Sequence, residues 1–168
     1  MSRAFVKETD TQDDLPPGRR APRQQPCYIT RDGYNAAMRE HAQLARQLGG
    51  RRLEDLEFDA REAFRQQRAR WYELADLLAA VLPVDPVAQP ADEVRFGATV
   101  TLTNAAGEAQ TVTLVGEDEV ELRAGRVSWR SPLGQAVLGA HLGEEIVCPR
   151  PAGAVRLTVS AIAYLAAP

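Results

Sequence analysis

The sequence predicts an α+β protein, with an antiparallel α-helical hairpin followed by a small antiparallel β-sheet unit that holds one short helix. Three observations carry this. Residues 53–82 contain neither glycine nor proline and keep apolar residues at helical spacing, the period changes to two near residue 98, and prolines gather on either side of the helical stretch. With 168 residues, 45% of them hydrophobic and 26% charged, the chain can bury the core of one large domain or two small ones.

Residues 1–27 are expected to form a flexible tail, since four of the eleven prolines fall in the first 26 positions among Gln, Arg, Asp and Gly. The hairpin is expected over 28–82. Thr30 stands where an N-cap is needed, ahead of Tyr34, Met38, His41, Ala45 and Leu48 at spacings of three and four. Gly49-Gly50 ends that arm. In the second, Leu56, Ala60, Ala63, Gln67, Trp71, Leu74, Leu78 and Val81 continue the seam, the pattern of an antiparallel coiled coil. About 18 helical residues span roughly 27 Å and about 30 span roughly 45 Å. Either the second helix overhangs, or it breaks near Ala60 to Ala63, or its excess packs on a second copy to make a homodimer.

Pro83, Pro86 and Pro90 withhold backbone donors and push their predecessors out of helical geometry, so 83–93 reads as a linker. Residues 94–168 make the second unit. Ala98, Val100 and Leu102 alternate with Thr99, Thr101 and Thr103, the chain turns at 104–107, and 111–115 returns as the second strand of a β-hairpin. Ser131-Pro132 opens a short helix over 133–138 that Gly139 ends. Strands are expected over 145–148 and 154–164, around a proline and glycine turn.

Several function classes are excluded. No run of 18 apolar residues exists and the first residues are charged, so no membrane partner and a cytoplasmic location are expected. Cys27, Cys148, His41 and His141 are isolated, which removes structural zinc, and no Gly-rich phosphate loop or nucleophile elbow appears. Net charge is −3, and residues 83–168 carry six arginines against ten acidic side chains, a balance that disfavours a nucleic-acid backbone and suits a protein partner.

FGATVTL, its turn, TVTLVGEDE, SWRSPLGQAVLGAHLGEEI and the closing VRLTVSAIAYL resemble, in order and spacing, the C-terminal domain of the Gre-type (GreA/GreB) bacterial transcription elongation factors. YITRDGY at 28–34 is similar to the opening of their coiled coil. The resemblance implies an FKBP-like globular domain that docks on bacterial RNA polymerase at the rim of its secondary channel, while the helical finger enters. Fingertip carboxylates then help to hold a second catalytic Mg²⁺ so that the polymerase itself cuts a backtracked transcript. Such a factor is not an enzyme and binds no cofactor stably, sharing only Mg²⁺ with the polymerase. Two metals clamping the attacking and leaving oxygens would supply the chemistry.

The family's acidic tip, G-D-x-x-E-N-A-E-Y, finds its counterpart in G-R-R-L-E-D-L-E-F at 50–58. This carries Glu54 and Glu57 over as candidate ligands of the shared Mg²⁺, with Asp55 and Asp59 as further tip carboxylates, and puts Arg51 in place of the tip aspartate. Acidic residues in the first turns of a helix are also favoured simply by its dipole, as solvated surface. A guanidinium 4 Å from a cation opposes it by about 4 kcal/mol at an effective dielectric of about 20. Together with the short first arm, Arg51 leaves an alternative open, a non-cleaving occupant of the channel like the Gre-like regulators of nucleoside diphosphate kinase.

Arg65, Arg68 and Arg70 correspond to the family's basic patch, which contacts nascent RNA; the other reading is a solvated face paired with Glu62 and Glu73. By the same resemblance Glu117, Asp118, Glu119, Ser128, Trp129, Ser131 and Pro132 are the expected polymerase-binding surface, with Trp129 either an interface anchor or core. A prolyl isomerase is disfavoured, because Phe96, Trp129 and Tyr164 are the only aromatics in 83–168, too few to line a proline pocket.

Overall fold

The computed structural model describes residues 25–90, 92–151 and 153–164. All but the last three residues of the expected tail lie outside the described residues. Thr30, in extended geometry, accepts a hydrogen bond from Gly33 N at 3.0 Å and so opens α1, Arg31–Leu48. The glycine pair ends it, Gly50 taking the left-handed φ of 72°. The chain then makes a 3₁₀ turn, Leu53–Asp55, and becomes extended at Leu56 and Glu57 before α2, Phe58–Ala80. The second arm therefore breaks ahead of Ala60. Arg61 stabilises the break, its Nε donating to the Leu56 carbonyl at 3.0 Å. With 23 residues, about 35 Å, α2 exceeds the 18 residues of α1 by little more than one turn.

The seam between the arms is built by Ala37, Leu44 and Tyr34 on one side and Leu74, Leu77, Trp71 and Leu78 on the other, closed below by Cys27, Ile29 and Val81. Met38 and Ala45, expected on the seam, face outward. Ala37 and Leu44 have the same seven-residue separation, so spacing alone does not choose between the two registers. The root of the hairpin is tied as well. Tyr28–Thr30 forms a strand, β1, that pairs in parallel with β2, Leu82–Val84, and ties the two ends of the hairpin together. A three-residue strand that pairs through Pro83 has no alternation by which to be recognised.

Within the stretch expected as a linker, Pro83 and Val84 belong to β2, and Pro86 packs against the second unit. Asp85 accepts from Val87 N at 3.1 Å and caps a 3₁₀ turn, Pro86–Ala88. Gly97, at φ 87°, lies so close to Pro86 that a Cβ there would stand 2.9 Å from the proline Cβ.

The second unit is a five-stranded sheet with strands β3 (Thr99–Asn104), β4 (Ala109–Val115), β5 (Arg126–Ser128), β6 (Glu145–Cys148) and β7 (Val155–Ala163), in the order β5-β4-β3-β7-β6. All neighbours are antiparallel except β4 and β5, so the sheet is mixed at one edge where full antiparallel pairing was expected. The reason is the connection: 3₁₀ turns at Glu117–Glu119 and Leu122–Ala124 bring the chain back alongside β4 in its own direction. Val100, Leu102, Leu114 and Val159 fill one face together with Val137 of α3, Pro132–Val137. Threonine pairs, Thr99 with Thr113 at 2.9 Å and Thr101 with Thr111 at 3.2 Å, occupy the other face. Among the described residues no helix is long and apolar enough to cross a membrane.

Tyr164 closes the unit, its hydroxyl donating to the Glu93 carbonyl at 2.6 Å and accepting from Arg95 N at 2.8 Å. Burial, the largest cause, pushes this hydroxyl above its ordinary 10.0. The folded state thus favours the protonated phenol. Its contribution is whole below pH 10.0 and is lost as the pH rises through the higher folded value. Alkaline titration of stability should show this loss, and Tyr164→Phe should remove it.

Candidate functional site

The tip of the hairpin carries the four carboxylates expected there, all exposed. Glu54 Oε1 accepts from Arg52 Nη1 at 2.8 Å. Asp55 ends the 3₁₀ turn, Glu57 is the N-cap of α2, and Asp59 lies in its first turn. The Arg52–Glu54 pair is 75% and 69% exposed, so it contributes at most about 1 kcal/mol to stability. It nevertheless puts a cation on the carboxylate first in line for a shared Mg²⁺. Among the described residues no group of three or more His, Cys, Asp or Glu is placed to hold a metal ion. Glu54 and Glu57, one of them bound to a guanidinium, could supply at most one or two carboxylate oxygens to a Mg²⁺, whose remaining ligands would have to come from a partner.

The three arginines expected as the RNA-contacting patch separate. Arg65 and Arg68 line a cleft of about 890 Å³ between the arms, beside Arg51, Arg52 and Arg61. Arg70 instead forks onto Glu40 of α1, Nε at 2.7 Å and Nη2 at 2.9 Å, with Glu73 at 3.6 Å. It is a strut between the arms, and its contact with Glu73 is one that the solvated-face reading expected. The hydrogen bond from Arg70 holds the Glu40 carboxyl below its ordinary value and raises Arg70 in turn. Both groups are about half exposed, so Arg70→Ala should lower the unfolding free energy by no more than about 1 kcal/mol in urea denaturation. Glu62, expected beside these arginines, accepts from Gln66 at 2.9 Å. Above the strut His41 stacks on Trp71, with centroids 5.1 Å apart and planes at 17°.

The expected docking surface divides as well. Glu117 and Asp118 are exposed, whereas the Glu119 side chain is only 4% exposed and turns inward. Its carboxylate accepts from Thr30 N at 2.9 Å, the Thr30 hydroxyl, Gly116 N at 3.0 Å and Arg126 Nη2 at 3.1 Å. Glu119 therefore clasps the first turn of α1 to the sheet unit. Ser131 accepts from Gly134 N at 3.0 Å to cap α3, Pro132 begins that helix, and the Ser128 hydroxyl accepts from Arg130 N at 3.1 Å. Trp129 is half-buried at the same junction. Tyr28 lies 5.4 Å from it and 5.6 Å from Phe96, and the Arg130 guanidinium covers the indole at 4.7 Å while Nη2 donates to the Pro26 carbonyl at 2.7 Å. These three aromatics line a cleft of about 590 Å³ with Val84, Val94 and Leu138.

Sequence reasoning missed the clasp and the part Tyr28 plays. One signal was available. Glu119 follows Gly116 by three residues, the spacing of a capping box in which the later carboxylate reaches back to the N-cap amide. Nothing local marks the contact of Glu119 with Thr30, 89 residues away.

Comparison with known proteins matches this arrangement along most of its length. The C-terminal family model for the GreA/GreB transcription elongation factors covers residues 89–164. Transcription elongation factor GreA of Trichlorobacter lovleyi is 32% identical over 153 residues, spanning 81% of this chain and 96% of that protein. GreA of Desulfovibrio desulfuricans is 33% identical over 153 residues, 81% of this chain and 93% of that one. The solved GreA/GreB factor of Nitrosomonas europaea is 26% identical, covering 82% of this chain and 99% of its own, with a TM-score of 0.41. From the root of the hairpin to the last strand of the sheet, this chain belongs to the GreA/GreB family of transcription elongation factors.

Proposed function

We propose that this protein binds RNA polymerase and modulates elongation, its sheet unit docking at the rim of the secondary channel and its hairpin entering. One observation carries the reading. The hairpin is held at its root by two hydrogen bonds from Thr30 to Glu119, whose carboxylate Gly116 N and Arg126 fix within the sheet unit, so grip on the outside of a partner fixes where the tip, one α2 length or about 35 Å away, will lie. The exposed Glu117 and Asp118 would meet basic groups on the partner and set the encounter rate.

Stimulated cleavage is the outcome that family membership supports, with every bond broken by the polymerase. A second reading, a channel occupant that does not stimulate cleavage, is favoured by the tip itself. Glu54 is paired with Arg52, and α2 reaches about 35 Å where an unbroken helix over 53–82 would reach about 45 Å. Stalled, backtracked elongation complexes incubated with the protein and Mg²⁺ separate the two. Shortened RNA that disappears with Glu54→Ala supports cleavage, and unchanged RNA with slowed extension supports occupancy. Failure to retain core polymerase in a pull-down overturns both.

A further inference from the structure

The cleft between the arms has a more particular chemistry than a solvated basic face. Five arginines, at 51, 52, 61, 65 and 68, line it against one carboxylate, Glu54, which Arg52 already holds. Phe64, Trp71 and Tyr72 supply aromatic wall. Two of the guanidiniums are set in place by the hairpin, Arg61 by the Leu56 carbonyl at 3.0 Å and Arg68 by the Phe64 ring, whose centroid lies 6.0 Å away. Trp71 brings one further feature. Its Nε1 is buried and finds no hydrogen-bond partner among the described residues.

We infer that this cleft binds a free nucleoside polyphosphate, its base against the Trp71 and Tyr72 side of the wall and its phosphates among the arginines. Guanidiniums pair bidentately with phosphate oxygens, and aromatic faces accept any base by stacking. The cleft volume of about 890 Å³ lies within the range of small-ligand sites. Charge density decides between a free nucleotide and a strand of RNA. A nucleoside di- or triphosphate concentrates roughly three or four negative charges at one end, which suits five arginines converging on one cleft. A strand brings one charge per nucleotide, spread along its length. The inference concerns the chain alone and does not require polymerase docking.

Titration of the full-length protein with ATP and with GTP, read by tryptophan fluorescence and by calorimetry, tests it. Saturable binding at one site is expected, with adenosine and inorganic tripolyphosphate each weaker by about tenfold or more, since base and phosphates both contribute. Arg65→Ser combined with Arg68→Ser should weaken ATP binding at least about tenfold. Circular dichroism should show the helical content of that variant unchanged. Arg51→Ser, on the exposed tip, provides a second variant without risk to the hairpin core and should weaken binding about threefold. The inference is overturned by an absence of saturable binding, by tripolyphosphate binding as tightly as ATP, by variants that bind unchanged, or by a short single-stranded RNA that binds more tightly than ATP and displaces it.

Discussion

Glu119→Ala is expected to loosen the hairpin from the sheet unit and to cost about 2–4 kcal/mol of stability, the cost of leaving buried donors unpaired. The carboxylate collects four donors and its side chain is 4% exposed. Arg126, at 38% exposure, can turn to water when the carboxylate is removed. The amides of Thr30 and Gly116 cannot, because both residues are buried. Glu119→Gln should recover only part of the loss, since an amide offers one acceptor oxygen where the carboxylate offers two. Gly116→Ala attacks the same junction from the other side. Its Cβ would meet the Tyr28 carbonyl oxygen at 2.4 Å, a backbone atom that can yield only if β1 shifts. Urea denaturation reads the cost, and hydrogen exchange at residues 28–34 should locate it. In elongation assays the Glu119 variants should lose their effect on RNA extension by a larger factor than their affinity for polymerase, because the grip survives while the direction of the prong does not. Equal losses in both would show that the clasp serves folding alone.

The parts of this molecule that the sequence made legible are those governed by local chemistry. Thr30 as N-cap, the glycine pair at the end of α1, the turn at 104–107 and Ser131-Pro132 at the start of α3 all follow from what one residue type does to its own backbone. The hairpin seam was legible in period, and Tyr34, Trp71, Leu74, Leu78 and Val81 lie on it as expected, but Met38 and Ala45 of α1 do not. Met38 and Ala45 have the same seven-residue separation as the buried Ala37 and Leu44, and period alone does not choose between the two pairs. The parallel β5 edge and the seat of Pro86 against Gly97 were not legible, because each lies in a three-residue segment too short to show a pattern. At the candidate site the same division holds. The acidic tip and the arginines of α2 stood out as charge at regular spacing, yet spacing could not tell Arg70, which faces Glu40 across the hairpin, from Arg65 and Arg68, which face the cleft. Glu119 looked like one more surface acid in a run of three. Its partner lies 89 residues away, and only the tertiary fold brings the two together.

Leu74→Ala should cost about 2–5 kcal/mol, in the range of large-to-small changes in a packed interior. Leu74 is 1% exposed and belongs to a cluster of seven buried residues that holds the hairpin together, apart from the cluster of twelve beneath the sheet. So small a core has little surplus, and a loss of this size is a large share of what an isolated helical pair can muster. Phe58, in contrast, is 84% exposed at the start of α2, and Phe58→Ala should change stability by no more than about 0.5 kcal/mol although it removes a larger side chain. Thermal unfolding followed by circular dichroism at a helical wavelength and, in a Trp71→Phe background, by Trp129 fluorescence distinguishes two consequences. With the Glu119 clasp intact the two probes should report one shared transition at a lowered midpoint, since β1 and Tyr28 couple the small core to the large one. In Leu74→Ala combined with Glu119→Ala the helical signal should be lost first, leaving the sheet folded. A single shared transition in the double variant would mean that the aromatic junction of Tyr28, Phe96 and Trp129, rather than the carboxylate, couples the hairpin to the sheet.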